Sequence, residues 1–121
     1  MRILITGSRD WTDHETIGNA IALQYLASNC PNPQAVTVVH GGAKGADYLA
    51  ATLAKRQGFK VELHKARWDE FGKAAGYLRN KEMVEAGADV CLAFIRNESK
   101  GATMCAKLAK DAGIPTHIWR E

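Results

Sequence analysis

The run "AVTVVHGGAKGAD", residues 35–47, passes from six nearly continuous apolar and β-branched positions into three glycines within five residues. Such unbroken apolar character over a short span is expected of a strand covered on both faces of a parallel sheet. Beyond the glycines, Ala46, Leu49, Ala50 and Leu53 recur at helical spacing, with Asp47, Lys55 and Arg56 elsewhere. Strand, glycine loop and helix in that order make half of a βαβ unit. A turn needs one glycine, or two. Three, with Lys44 among them and Asp47 closing the set, predict a backbone left bare for close approach.

The rest of the chain repeats the alternation. "RILIT" (2–6) is a short apolar run closed by Gly7 and reads as a strand. "TDHE" (12–15) forms a capping box in which Thr12 accepts from the amide of Glu15, and a helix follows to about Ser28. Ile17, Ala20 and Ile21 begin its buried stripe, and the two prolines of "CPNPQ" (30–34) end it. Gly58 stops the second helix. "FKVELH" (59–64) alternates at period two and predicts a strand nearer an edge, while "DVCLAFI" (89–95) predicts a buried one. "THIW" (116–119) is a last short strand after Pro115, and helices are expected at about 74–87 and 101–112. The order β-α-β-α-β-α-β-α-β predicts a Rossmann-like α/β three-layer sandwich. Its sheet has five strands, mainly parallel, with helices on both faces and right-handed crossovers.

A chain of 121 residues, 46% hydrophobic and 24% charged, fits one globular domain spanning 1–121. Net charge is +3, a mild bias that suits anionic ligands and is too weak to indicate nucleic acid. No stretch has the apolar length of a membrane span, and the first residues enter a strand, so no cleaved signal peptide is expected. Cys30, Cys91 and Cys105 form an odd set without metal-ligand spacing and read as free thiols of a cytoplasmic protein. The four histidines share no helical spacing, so no metal site is read from them, and no cofactor is predicted. Whether a metal accompanies a bound phosphate is open.

In such a sheet, ligands bind beyond the carboxyl ends of the strands, where strand order reverses. "GSRDW" (7–11), "GGAKGAD" (41–47) and "RNESKGAT" (96–103) all fall at such ends. Helix N-termini offer unpaired amides and partial positive charge to a phosphate, and Arg9, Lys44 and Lys100 add whole charges. Ser8 and Ser99 are expected to donate to it. Asp47 is expected to cap its helix or to hold ribose hydroxyls. The loop is not a triphosphate-binding P-loop, because Gly45-Ala46-Asp47 stands where Gly-Lys-Ser/Thr is needed, and "GSRDW" is not G-x-G-x-x-G. The plainer alternatives are that Gly41, Gly42 and Gly45 serve turns and packing, and that Lys44 and Lys100 are solvated surface charges. Arg79 shares a helical face with Met83 and Ala86, and an arginine on a buried stripe needs a carboxylate or a ligand anion. Asn80 beside it is placed to read a base or ribose edge. Trp68 either stacks on a base or packs under its loop. Cys105, on one face with Met104 and Leu108, reads as core.

Taken together, "GSRDW", "HGGAKGAD", the "W…G…AG…RN…M" series and "SKGAT" resemble the SLOG superfamily of Rossmann-like proteins, which includes the lonely-guy phosphoribohydrolases and the DNA-processing protein Smf. Within it, the chain is similar to the small stand-alone YspA-like branch, from residue 2 to about 115. The resemblance implies a nucleotide or nucleotide-derived ligand held across the loops. Arg79 and Met83 match an arginine–methionine pair of the lonely-guy enzymes. Their G-T-x-x-E loop corresponds to Gly101-Ala102-Thr103-Met104-Cys105, where Cys105 replaces the glutamate that helps cleave the N-glycosidic bond. Hydrolysis through an oxocarbenium-like transition state wants a carboxylate near the ribose, so Asp47, Asp69, Glu70 or Glu98 would have to substitute.

The leading expectation is a nucleotide-binding sensor or sequestering module. Gly7, Ser8, Arg9, Gly41, Gly42, Lys44, Gly45, Ser99, Lys100, Gly101 and Thr103 would form its cradle, and Arg79 would clamp the anion. The alternative is a nucleoside-monophosphate N-glycosidase whose catalytic candidates are Arg79, Glu98 and Asp47. Single-stranded DNA binding ranks last, since no basic stripe is interleaved with aromatics. Relatives of this type often pair through helices, so a homodimer or larger homo-oligomer is open.

Overall fold

A computed structural model describes residues 1–121. The strands are β1 (Arg2–Gly7), β2 (Thr37–His40), β3 (Lys60–Leu63), β4 (Val90–Ile95) and β5 (Thr116–Arg120). The helices are α1 (His14–Ala27), α2 (Ala46–Arg56), α3 (Trp68–Phe71), α4 (Ala75–Ala86) and α5 (Lys100–Asp111). Hydrogen bonds join the strands in the order β3-β2-β1-β4-β5, and every pairing is parallel. The sequence reading of a mainly parallel sheet thus becomes an all-parallel one.

Burial follows the alternation of each strand. Ile3, Ile5, Val36, Val38, Leu92 and Phe94 pack against Ile17, Ala20 and Ile21 of α1 and against Ala46, Ala50 and Ala54 of α2. On the opposite face, Leu4, Val39 and Cys91 meet Met83 and Val84 of α4 and Cys105 and Ala109 of α5. The result is three layers. All six residues of β4 are buried, while the shorter β3 and β5 form the two edges. Phe94 stacks on Trp119 and meets Trp11 edge-on, with ring centroids 5.1 and 5.5 Å apart. Strand order reverses between β1 and β4, so the ligand crevice of this topology opens where these two strands end.

Three local readings are corrected. Asp13, not Thr12, caps α1: its carboxylate accepts from the Thr16 amide at 3.1 Å and the Thr16 hydroxyl at 2.6 Å. Thr12 instead donates through its amide and hydroxyl to the Glu121 carboxylate at 3.0 and 2.8 Å, which holds it one residue before the cap. The second strand begins at Thr37 rather than residue 35, because Pro33–Ala35 closes a 3₁₀ turn. The segment before α4 also carries the one-turn α3 and a 3₁₀ turn over Gly72–Ala74, both too short to show periodicity.

Outside α4 lies a chain of charges. Arg2 donates to both Glu62 oxygens at 2.9 and 2.7 Å, and His64 bridges Glu62 and Glu82 at 2.7 and 2.8 Å. Hydrogen bonds from Arg2 and then His64 pull the Glu62 carboxyl down to about 2. The His64 imidazolium is raised: burial opposes it, but its bonds to Glu62 and Glu82 outweigh that cost. The Glu62 contribution is lost as pH falls from about 4.5 toward 2, and the His64 contribution as pH rises through its raised value. Comparing wild type with Glu62→Gln by thermal melting should therefore give the largest difference between about pH 4.5 and 6.5, narrowing on both sides. A difference independent of pH would remove the network from the stability of the fold.

Candidate functional site

The loops after β1, β2 and β4 close on one another by backbone contact. Ser8 is fully buried; its hydroxyl donates to the Arg96 carbonyl at 3.1 Å and accepts from the Arg96 amide at 2.7 Å. Its own amide donates to the Phe94 carbonyl, and its carbonyl accepts from Trp11 and Ala46. Ser8 is thus the stitch between the three loops and not the phosphate donor the sequence predicts. Gly45 has φ +76°, and a Cβ there would strike the carbonyls of Ser8 and Arg9. The second loop sits this close to the first because Gly45 lacks a side chain.

Asp47 is buried beneath the glycine loop at 5% exposure. Its Oδ2 accepts from the amides of Gly41 (3.0 Å) and Ala43 (3.4 Å), while Oδ1 has no partner. It therefore ties down the preceding loop instead of capping its own helix. Burial pushes its carboxyl up to about 6, against the pull of the two amides and the Arg79 guanidinium. His40 holds the next peptide, accepting from the Gly42 amide through Nδ1 at 3.0 Å, and burial keeps it below the usual imidazole range. Two of the three glycine amides in the loop are thus spent inside the protein.

Arg79, half-buried on α4, turns inward. Its Nη1 donates to the Gly41 carbonyl at 2.7 Å and its Nε to Asn80 Oδ1 at 2.8 Å, leaving Nη2 unpartnered. Gly41 is a glycine because a Cβ there would run into this guanidinium. Asn80 is buried as well, with Nδ2 pointing to the Gly101 carbonyl at 3.5 Å. Its side chain orients Arg79 through Oδ1 and reaches toward α5 through Nδ2, while lining the cleft.

Between these elements lies a cleft of about 520 Å³. Of the residues predicted from sequence, Gly7, Arg9, Asp47, Trp68, Arg79, Asn80, Ser99 and Gly101 line it. Gly41, Gly42 and Lys44 line a groove beside it that shares Arg9, Ala43, Trp68 and Arg79. Glu98 and Lys100 are exposed and line neither. Thr103 faces a hollow on the far side of α5, with Ile118 and Lys107. Helical geometry explains that displacement: Gly101 and Met104 share the cleft face of α5, and Thr103 does not. Asp69 and Glu70 are exposed on α3 and outside the cleft.

Sequence reasoning missed Arg96, Lys73, Tyr77 and Asn97, all of which line the cleft. Arg96 donates to the Asp10 carbonyl at 2.8 Å, and Asn97 to the Asp10 carboxylate at 2.9 Å. Their position directly after β4 was the available signal. Asn97 and Glu98 also adopt left-handed φ values of 52° and 51°, a strained pair at the exit of the most buried strand. The amides of Arg9, Asp10, Lys44, Gly45, Lys100, Gly101 and Ala102 have no acceptor within the chain. Arg9, Lys73 and Arg79 form no ion pair, and only Arg96 approaches a carboxylate, Glu121 at 3.6 Å. Such a rim suits an anion. Cys105 is fully buried in the core, as read from sequence, and burial raises its thiol to about 11.

Residues 1–71 match the family described as YspA, cpYpsA-related SLOG. The match holds the first two loops with Asp47 and Trp68 and stops short of Arg79. The Gene 61 protein of Mycobacterium phage D29 is 50% identical over 119 residues, covering 94% of this chain and 92% of the phage protein. No solved structure shows significant similarity to the chain.

The buried carboxyl of Asp47 has a measurable consequence for stability. A carboxyl raised to about 6 in the fold binds its proton there more tightly than in the unfolded chain, so stability falls as pH rises from about 4 to 6. Asp47→Asn stays neutral and keeps an oxygen for the loop amides. Denaturant unfolding should find it more stable than wild type at pH 7.5 by roughly 1–3 kcal/mol, with that gain absent below about pH 4. An asparagine variant less stable at pH 7.5, with the deficit closing below about pH 4, would mean that the charge itself holds the loop.

Proposed function

The chain belongs to the YspA, cpYpsA-related SLOG family, and on that premise we propose that its cleft binds a nucleotide or nucleotide-derived ligand, as a sensor or sequestering module. The observation that carries this reading is the convergence of unpartnered amides with Arg9, Lys73, Arg79 and Arg96 where β1 and β4 end. In this reading the phosphate meets Arg9, the free Nη2 of Arg79 and the amides of Gly101 and Ala102. The ribose lies over the Asp47 end of the cleft, and the base lies against Trp68 and Tyr77, which are 51% and 46% exposed. The cleft volume falls within the range of about 300–1,000 Å³ usual for small-molecule sites. Three or four charge-assisted hydrogen bonds at about 1.5–3 kcal/mol each exceed an association cost of ~4 kcal/mol or more by enough for micromolar binding.

Titration calorimetry with nucleoside monophosphates, ADP-ribose and NAD tests this. Wild type should bind at least one of them, and Arg79→Ala should weaken that binding by about 10–100-fold. Binding by none of them, or unchanged binding in the variant, would sink the proposal.

Asp47 favours a second reading, hydrolysis of the N-glycosidic bond. A carboxyl near 6, buried on the cleft floor beside Arg79, has the proton affinity that acid–base chemistry at neutral pH requires. Glu98, the other acid in the β4 loop, points away on an exposed turn. If the protein is a hydrolase, incubation with nucleoside monophosphates will release free base, and Asp47→Asn will suppress that release while Glu98→Gln will not. No free base from wild type leaves binding alone.

A further inference from the structure

The groove beside the cleft has a charge pattern that a mononucleotide does not use. Its volume is about 420 Å³, and it shares Arg9, Trp68 and Arg79 with the cleft, so the two hollows adjoin at a waist formed by these side chains. Beyond the waist it is lined by Lys44, Lys65 and Leu63 over the backbone of Gly41 and Gly42. No acidic residue lines it, although 13 of the chain's residues are aspartate or glutamate. Arg9, Lys44, Lys65 and Arg79 form no ion pair with any carboxylate. Four cations around one groove, none of them in an ion pair, repel one another, and an anion threaded among them relieves that repulsion. The amides of Lys44 and Gly45 are free as well.

We propose that the ligand is a nucleotide bearing a diphosphate, whose first phosphoryl group sits at the waist of Arg9 and Arg79 and whose second enters the side groove between Lys44 and Lys65. The inference rests on the cleft holding a nucleotide, as proposed above, and adds the class of nucleotide. The two arginines match the first phosphoryl group, and the two lysines lie where a monophosphate ends and a diphosphate continues. A cationic group attached to the outer phosphate is disfavoured there by the same charges, whereas a neutral sugar is tolerated.

Lys65 tests the proposal because it lines the side groove and not the cleft. Binding of AMP, ADP and ADP-ribose is measured by calorimetry on wild type and Lys65→Glu at about 0.15 M salt, where exposed charges are screened beyond about 8 Å. Wild type is expected to bind ADP and ADP-ribose about tenfold more tightly than AMP, or better. Lys65→Glu should lose that preference, with AMP affinity held within about twofold. Lys65 is exposed, so the variant should melt like wild type, and a matched melting curve shows that binding and not folding has changed. AMP binding to wild type without preference for the diphosphates overturns this inference alone, as does an equal loss of AMP and ADP in the variant. No binding of any of the three overturns the nucleotide reading of the cleft as well.

Discussion

The site is organised around one peptide, that of Gly41. Its amide donates to buried Asp47, and its carbonyl accepts from Arg79, which arrives from a helix on the other side of the sheet. The same residue thus joins α2, the end of β2 and α4, and only glycine leaves room for the guanidinium. Opposite charges flank this peptide without touching, each satisfied through the backbone between them. Arg79 stabilises the Asp47 carboxylate at a distance, yet burial outweighs both that attraction and the amide bonds. The position of the arginine, the shape of the glycine loop and the protonation of Asp47 are therefore coupled, and a ligand that touches one of them acts on all three.

The fold was legible because its signals are local and repeated. Continuous apolar runs announced β2 and β4, and period-two alternation marked β3 as an edge. What failed was decided by residues far apart in sequence. Thr12 has the composition of a cap, but it is turned onto Glu121, and Asp13 caps instead. No pattern inside α1 reports on a carboxylate at the far end of the chain. α3 spans four residues, barely one turn, and leaves no periodicity to read.

The site was legible as an edge and illegible as a set of contacts. Three glycine-containing loops at strand ends were correctly brought together, and Arg79 does point inward. For the glycines of the second loop, the plainer reading of turns and packing accounts for what stands opposite them. Gly41 makes room for Arg79, Gly42 packs against Leu63, and Gly45 lets the first loop approach, so the bare backbone accommodates the protein itself. Gly101 is different: nothing lies within 4 Å of the Cβ it lacks, and its amide is free. That distinction depends on what stands opposite each glycine, which sequence does not carry. Ser8 shows the same limit, since its hydroxyl is used up between β1 and Arg96.

Charge shows why composition understates this protein. A net charge of +3 suggests only a faint attraction for anions. The acids, however, are largely engaged away from the cleft: Glu62 and Glu82 around His64, Asp89 on the Arg2 amide, Asp13 on Thr16 and Glu121 on Thr12. The cations of the cleft and its side groove keep no such partners, apart from Arg96 with Glu121. Asp10 is turned onto Asn97, and Asp47 is buried and partly protonated near neutral pH. The cleft is lined by Arg9, Lys73, Arg79 and Arg96 against Asp10 and Asp47, an excess of cations beside free amides. A low-dielectric floor of β1 and β4 strengthens their field at the rim. The arrangement proposed for the cleft thus needs no high net charge of the kind that would also attract nucleic acid indiscriminately.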